Sequence, residues 1–386
     1  MKILVYTNTF APHTETFIYN DVVGLDKHHE LRVICLERSN SEKFPFDQTY
    51  LLPYQRNWLA QKIWNQLYRF EVSMYHYNRH FSEALNRQVR AFRPEVIHCH
   101  FGPEAIRLTD NLKSQSIPLV INFHGYDASS FLNKSKVYRR KLKALFAKPN
   151  VFPTGTSQSL FDFLADYGIH AERSRVIYSG IRAEAFQRQR PHPPKAPPFR
   201  FVQVAGFRPK KGHVYSLRAF RQFLREAGRK SALMYLVGGG AGAMREMQEF
   251  CAQLGIAEEV IFTGWQSPAE VKQLLEQAHC FWHPSVTPDS GDKESTTVAI
   301  MEAMAMELPI VATFHSGIPE LVQDGVHGIL VEEKKIDQYV KAMHDIKAWG
   351  LQPQNRQHVL DNFSYEKRLE QLQAFYEFAV AETASA

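Results

Sequence analysis

Paired cysteines, long apolar runs and Asp-x-Asp motifs are all missing from this chain of 386 residues. The four cysteines, Cys35, Cys99, Cys251 and Cys280, are scattered and form no Cys-x-x-Cys pair. That argues against a zinc module and for a reducing, cytoplasmic setting. No apolar run approaches the roughly 18 residues of a membrane-spanning helix, so there is no transmembrane candidate. The opening MKILVYTNTF carries one lysine and no small-residue cleavage site, and reads as a β-strand rather than a signal peptide. There is no Asp-x-Asp motif that would call for manganese. The run Asp289-Ser290-Gly291-Asp292 offers too few oxygens for a calcium loop and reads as a loop over a ligand. His98 and His100 share one face of a strand without a further ligand beside them, so no metal is expected there either.

What is present is ordinary for a soluble globular enzyme, with 44% hydrophobic and 22% charged residues. The length implies two domains. A net charge of +6 and a pI near 9.0 suit an anionic substrate or an anionic membrane surface. No nucleic-acid motif accompanies the charge, so nucleic acid is not an expected partner.

Strand-like runs recur at Lys2–Tyr6, Leu31–Leu36, Glu95–His100, Leu119–Phe123 and Arg175–Tyr178, with helical patterns between several of them. Such alternation indicates a parallel, doubly wound α/β sheet. The segment RQRPHPPKAPP follows, with five prolines in eleven positions, and reads as a linker. The pattern then restarts at Phe201–Val204, Leu233–Val237, Val260–Thr263, Cys280–His283, Ile310–Thr313 and Ile329–Val331. The expected division is therefore a first domain over 1–187, a linker over 188–198, a second domain over 199–365 and a closing helix over 366–386. Ligands of such sheets bind outside the carboxyl ends of the strands, so two facing domains would define one cleft.

Within the second half, Glu294 falls in a loop and Glu302 eight residues later on a predicted helix. Ser295, Thr296 and Thr297 between them are N-cap candidates. If all eight residues were helical, the two carboxylates would stand about 12 Å apart along the axis. That spacing suits a ligand lying across a helix N-terminus, anion on the free N–H groups and hydroxyls at either end, as in a nucleotide diphospho-sugar. Gly206-Phe207-Arg208-Pro209-Lys210-Lys211 after a strand makes an anion site by simple electrostatics. In the first half, His124 of Phe123-His124-Gly125-Tyr126-Asp127 follows a strand and has room to meet a substrate. Two stretches are basic or aromatic. Lys134 to Lys148 holds seven cations and no acid, and Trp58 to Phe81 holds two tryptophans with several tyrosines. Together they suggest a surface that lies on an anionic membrane, or else a solvated helix face.

The ordered series Glu294/Glu302, Pro309-Ile310-Val311-Ala312-Thr313 and Gly317-Ile318-Pro319-Glu320 resembles the retaining glycosyltransferases of family four. Their fold is called GT-B: two facing Rossmann-like doubly wound domains, with the final helix crossing back to the first. Pro12-His13-Thr14-Glu15-Thr16-Phe17 is similar to a run in bacterial exopolysaccharide transferases of the colanic-acid and amylovoran type. The resemblance implies a metal-independent, retaining hexosyltransferase using a UDP- or GDP-hexose donor, with no other cofactor. The acceptor would be a glycan or lipid-linked glycan in cell-surface polysaccharide synthesis, at the inner face of the membrane. It implies His124 and Glu294 as catalytic, with Gly206, Arg208, Lys211, Ser295, Thr296 and Thr297 on the diphosphate. Glu302 would hold the ribose, Gly264, Trp265 and Gln266 the base, and Thr14, Glu15, Thr16 and Asp127 the acceptor or sugar. Ser295-Thr296-Thr297 departs from the family's usual Gly-Phe-Gly at that loop. A non-catalytic nucleotide-sugar-binding subunit, or an epimerase or phosphorylase on the same fold, are the alternatives.

Overall fold

A computed structural model describes residues 1–12, 15–53, 74, 78–114, 116–194 and 196–385. The chain forms two compact units, one of Met1–Tyr178 with Arg368–Ala386 and the other of Ser179–Lys367.

The first unit is built on the parallel strands β1 (Lys2–Phe10), β2 (Glu30–Arg38), β3 (Thr49–Leu51), β4 (Val96–His100), β5 (Leu119–Phe123), β6 (Val151–Gly155) and β7 (Arg175–Val176), in the order β3-β2-β1-β4-β5-β6-β7. β4, β5 and β6 are buried on both faces, which is why they read as continuous apolar runs rather than alternating ones. β3 and β6 have no counterpart among the sequence-predicted strands. β6 contains Pro153, which lacks the N–H a central strand needs. β7 pairs only at Thr154 and Gly155, so on that side β6 is a free edge at Pro153.

The long helix Tyr365–Ser385 enters this unit from Arg368 onward. Leu372, Phe375, Tyr376 and Ala379 share a core with Ile3, Val5, Val33 and Val120. Arg368 is buried and places its guanidinium on Asp21 at 2.7 to 3.1 Å, while its remaining N–H groups reach the carbonyls of Ile177 and Tyr178. Tyr376 bonds His98 Nδ1 at 2.7 Å.

The second unit carries β8 (Phe199–Val204), β9 (Ala232–Val237), β10 (Val260–Gly264), β11 (Cys280–His283), β12 (Ile310–Thr313) and β13 (Gly328–Val331), all parallel, in the order β10-β9-β8-β11-β12-β13. These are the six strands expected from the sequence. The order reverses between β8 and β11, the switch point where a doubly wound sheet opens a crevice at its carboxyl edge.

The proline-rich segment is not a free linker. The units divide at Tyr178–Ser179, and residues 188–198 belong to the second. Arg188 donates to the carbonyls of Leu275, Glu276 and Met306, Gln189 N to Glu276 Oε1, and His279 Nε2 meets the carbonyl of Pro194. Prolines bar the segment from a ladder, but Arg188, Gln189 and the carbonyl of Pro194 still find partners in the unit.

Breaking one side of the Asp21–Arg368 pair strands a charge in the core. Arg368→Met should lower the unfolding free energy by about 3–5 kcal/mol in urea titration, and Asp21→Leu in the same chain should restore most of it.

Candidate active site

Three turns at the carboxyl edge of the second unit are stitched together by main-chain bonds. Ala205 N donates to the carbonyl of Val237, Phe207 N to that of Gly239, and Gly238 N to that of Gly264. The indole of Trp265 lies across Gly239 so closely that a Cβ there would stand 1.5 Å from its Nε1. The residue is nonetheless 67% exposed. Gln266 turns its amide back onto the carbonyl of Thr263, so any contact it makes with a base falls to its backbone.

Beyond β8 the chain makes a single turn of 3-10 helix, Pro209–Lys211, and enters the helix His213–Ala227. Gly212 between them has φ 71°, and a Cβ there would sit 1.8 Å from the carbonyl oxygen of Pro284, so only glycine fits. A buried polar chain fixes the turn from below. Trp282 Nε1 donates to Ser216 Oγ, Ser216 Oγ to Gln203 Oε1, and Gln203 Nε2 to the carbonyl of Lys211. Lys211 is thereby aimed at Glu294, with Nζ 2.9 Å from Oε1. Lys210 reaches the same oxygen at 3.8 Å and Asp292 at 3.2 Å. Burial alone would push the Glu294 carboxyl up, but the two ammonium groups overcome it and hold it down at about 2.

The helix carrying Glu302 begins at Val298, so Glu294 lies outside it and the all-helical spacing does not apply. Thr297 occupies the N-cap position but makes no capping bond, and its buried hydroxyl has no partner among the described residues. Ser295 and Thr296 are buried beside it. Glu302 is partly exposed and forms no ion pair among the described residues. Burial with nothing to offset it pushes its carboxyl up to about 8. Arg208 is exposed and lines a cavity of about 420 Å³ with Phe207, Tyr215, Met247 and Val286, a cavity that neither Glu294 nor Glu302 lines. Of the cations predicted for a diphosphate, Lys211 therefore stands at Glu294, whereas Arg208 lines the separate cavity. The run Asp289–Asp292 is tied down at its end by Lys210.

Sequence reasoning missed three residues here. His283, at the end of β11, is wholly buried with both ring nitrogens unpartnered among the described residues, and burial followed by the charge of Lys211 holds its pKa near 3. His315 and Glu333 follow β12 and β13 and contact the loop of Glu294. A histidine ending a strand was the signal that singled out His124, and it applied equally to His283.

In the first unit, His124 follows β5 with its ring between Phe17 and Phe101, at centroid distances of 4.7 and 4.6 Å. Its Nε2 meets His100 Nδ1 at 3.1 Å. Burial, then the charge of Arg368, hold its pKa well below the ordinary value, so the ring is neutral at pH 7. Asp127 is not placed to bind an acceptor. It is fully buried, and its oxygens accept the N–H groups of Gly102, His124 and Gly125. It is the clamp that sets the His124 turn. Glu15 precedes the helix Thr16–Leu25, in the N-cap position but without a capping bond from its side chain, and Thr14 lies outside the described residues. Residues 54–73 and 75–77, most of the aromatic stretch, also lie outside them.

Two family models match the chain: "Glycosyltransferase Family 4" over residues 14–185 and "Glycosyl transferases group 1" over residues 185–366. The chain belongs to the family-four glycosyltransferases. Among its relatives, the putative colanic acid biosynthesis glycosyltransferase WcaL of Escherichia coli (strain K12) is 28% identical, covering 86% of this chain and 87% of that protein. The amylovoran biosynthesis glycosyltransferase AmsK of Erwinia amylovora is 27% identical over the same shares. In fold, the transferase is similar to a glycosyltransferase from Rickettsia africae ESF-5, at TM-score 0.76 and 15% identity, covering 98% of each chain. It is likewise similar to the lipopolysaccharide outer core galactosyltransferase WaaB, at TM-score 0.72 and 15% identity, covering 97% of this chain and 99% of that one. The fold is GT-B, and the relatives' names favour transfer over a regulatory or epimerase role.

The raised carboxyl of Glu302 sets a pH dependence. From the ordinary glutamate range up to about 8 the folded transferase keeps a proton that the unfolded chain has released, so stability falls as pH rises across that window. Glu302→Gln removes this slope, and its melting temperature relative to wild type should climb between about pH 5 and pH 8.

Proposed function

We propose that this transferase moves a hexose from a nucleoside diphospho-sugar to a hydroxyl of a glycan or lipid-linked glycan, retaining the anomeric configuration. The observation that carries the reading is the ion pair of Lys211 with buried Glu294 at the β8/β11 switch point, with Glu302, which has no ion pair among the described residues, on the adjoining helix. Protonated Glu302 can accept from one ribose hydroxyl through its carbonyl oxygen and donate its O–H to the other. A diphosphate seated at the N-terminus of Val298–Ala305 would meet free N–H groups, the Thr297 hydroxyl and Lys211.

As the bond from the anomeric carbon to the phosphate oxygen breaks, negative charge grows on the diphosphate. Lys211, Lys210 and Arg208 supply positive charge where it develops, and in this reading no metal ion is needed. The acceptor oxygen bonds to the same carbon from the same side, and its proton passes to the departing phosphate. Glu294 holds Lys211 in position and accepts from the sugar hydroxyls. Neutral His124 serves as a hydrogen-bonding group rather than as a cation.

The relatives are named for colanic acid and amylovoran biosynthesis, and the Anabaena protein HepE, a structural neighbour at 17% identity, was solved with UDP and glucose. These support a cell-surface polysaccharide role and a nucleotide-sugar donor. Membrane attachment, in this reading, is electrostatic. The helix Lys136–Phe146 turns Val137, Leu142, Leu145 and Phe146 into the core and leaves Lys136, Arg140 and Lys143 outside, with Lys134 exposed just before it. Sedimentation with anionic vesicles should therefore be lost as salt is raised from low to physiological strength.

Thermal shift with UDP, GDP, ADP and their hexose conjugates should pick out one base. Lys211→Met should lower turnover of that donor about 100- to 1,000-fold. A chain stabilised by none of these nucleotides would refute the donor assignment.

A further inference from the structure

Glu294 is gripped through its peptide group as well as through its carboxylate. Its N–H donates to His315 Nε2 at 3.0 Å, and Ser316 Oγ donates to its carbonyl at 2.6 Å. A main-chain N–H can only donate, so Nε2 of His315 carries no proton and the ring's N–H is on Nδ1. That nitrogen meets Glu333 Oε1 at 2.6 Å. The imidazole is wholly buried. Glu333 in turn accepts the N–H of Thr287 at 2.6 Å and its hydroxyl at 3.2 Å.

One histidine–carboxylate pair from the ends of β12 and β13 therefore holds both ends of the segment Thr287–Glu294. Burial would raise the Glu333 carboxyl, but the bonds from His315 and Thr287 outweigh it and leave the group below the ordinary range, ready to accept at neutral pH. Lys210 ties the same segment close to its Glu294 end, through Asp292 and the carbonyl of Lys293. A carboxylate 2.9 Å from Lys211 keeps that distance only if its own backbone is fixed. His315 is the buried side chain that fixes the N–H side of it.

We infer that His315 and Glu333 are a positioning dyad for Glu294, setting through its peptide where the Glu294 carboxylate stands against Lys211, whose own turn is held by Gln203. Neither residue needs to touch the donor. The catalytic consequence rests on the donor-site reading above, whereas the geometry of the dyad does not.

Two measurements on the full chain separate those claims. In ¹⁵N-histidine NMR at pH 7, His315 should appear as the Nδ1–H tautomer with a lone pair on Nε2. An Nε2–H tautomer or an imidazolium at that site would overturn the dyad, whatever the activity. In kinetics, His315→Phe should reduce kcat about 10- to 100-fold by displacing Glu294, with nucleotide affinity within about threefold of wild type. His315→Gln offers both an acceptor and a donor, and should regain most of the lost rate. The double variant His315→Phe/Glu333→Gln should be no slower than His315→Phe alone. An unchanged kcat in His315→Phe, or an equal loss of nucleotide affinity, would overturn the positioning role. If wild type turned over no nucleotide sugar, the donor reading would fall, and the NMR tautomer would still decide the dyad.

Discussion

A carboxylate taken out of water beside two ammonium groups is stable only while all three remain together. Removing either sign leaves a buried charge that costs several kcal/mol. Much of the second unit's carboxyl edge can be understood as what keeps Lys211 and Glu294 at 2.9 Å. The left-handed Gly212, the Trp282–Ser216–Gln203 chain under the Lys211 carbonyl and the His315–Glu333 pair behind the Glu294 peptide approach the ion pair from opposite sides. The result is preorganised positive charge, the arrangement that stabilises a developing anion with little reorganisation.

A related device recurs elsewhere at the two sheets, where a carboxylate accepts a main-chain N–H that the ladder leaves unpaired. Asp127 does this for Gly102, His124 and Gly125, Glu104 for Asn8, and Glu333 for Thr287. An unpaired buried N–H is costly, so a turn that must leave the ladder to face a ligand needs such a partner. Burial pushes Asp127 and Glu104 up, and the N–H bonds pull back against it without winning. These acids contribute shape rather than reactivity.

Much of the fold was legible because buried parallel strands appear in sequence as plain apolar runs. Six such runs after the prolines became the six strands of the second unit. β6 was hidden by Pro153, a residue tolerated there only because β7 is too short to pair with it. The proline segment misled in the opposite sense: composition reports that it cannot join a sheet, but not that Arg188 fastens it to one. Among the site residues, the family motif pointed to Lys211, Glu294 and Glu302 because charged groups stand out at fixed spacing. Asp127 bears the same chemistry and proved to be a clamp, since spacing carries no information on which way a carboxylate faces. His315 and Glu333 are 18 residues apart and meet only because β12 and β13 are neighbours in register.

The return of the last helix to the first unit has a consequence for how the chain is made. Asp21 and Arg368 are separated by 347 positions, and the whole second unit is inserted between them. During synthesis the second unit can finish its core while the first still lacks Leu372, Phe375 and Tyr376. Until the ribosome releases those final turns, an apolar strip of the first sheet and the Asp21 carboxylate stay uncovered. Closure of that unit is thus a late, long-range event, exposed to aggregation in the interval and dependent on the helix from Arg368 onward being intact.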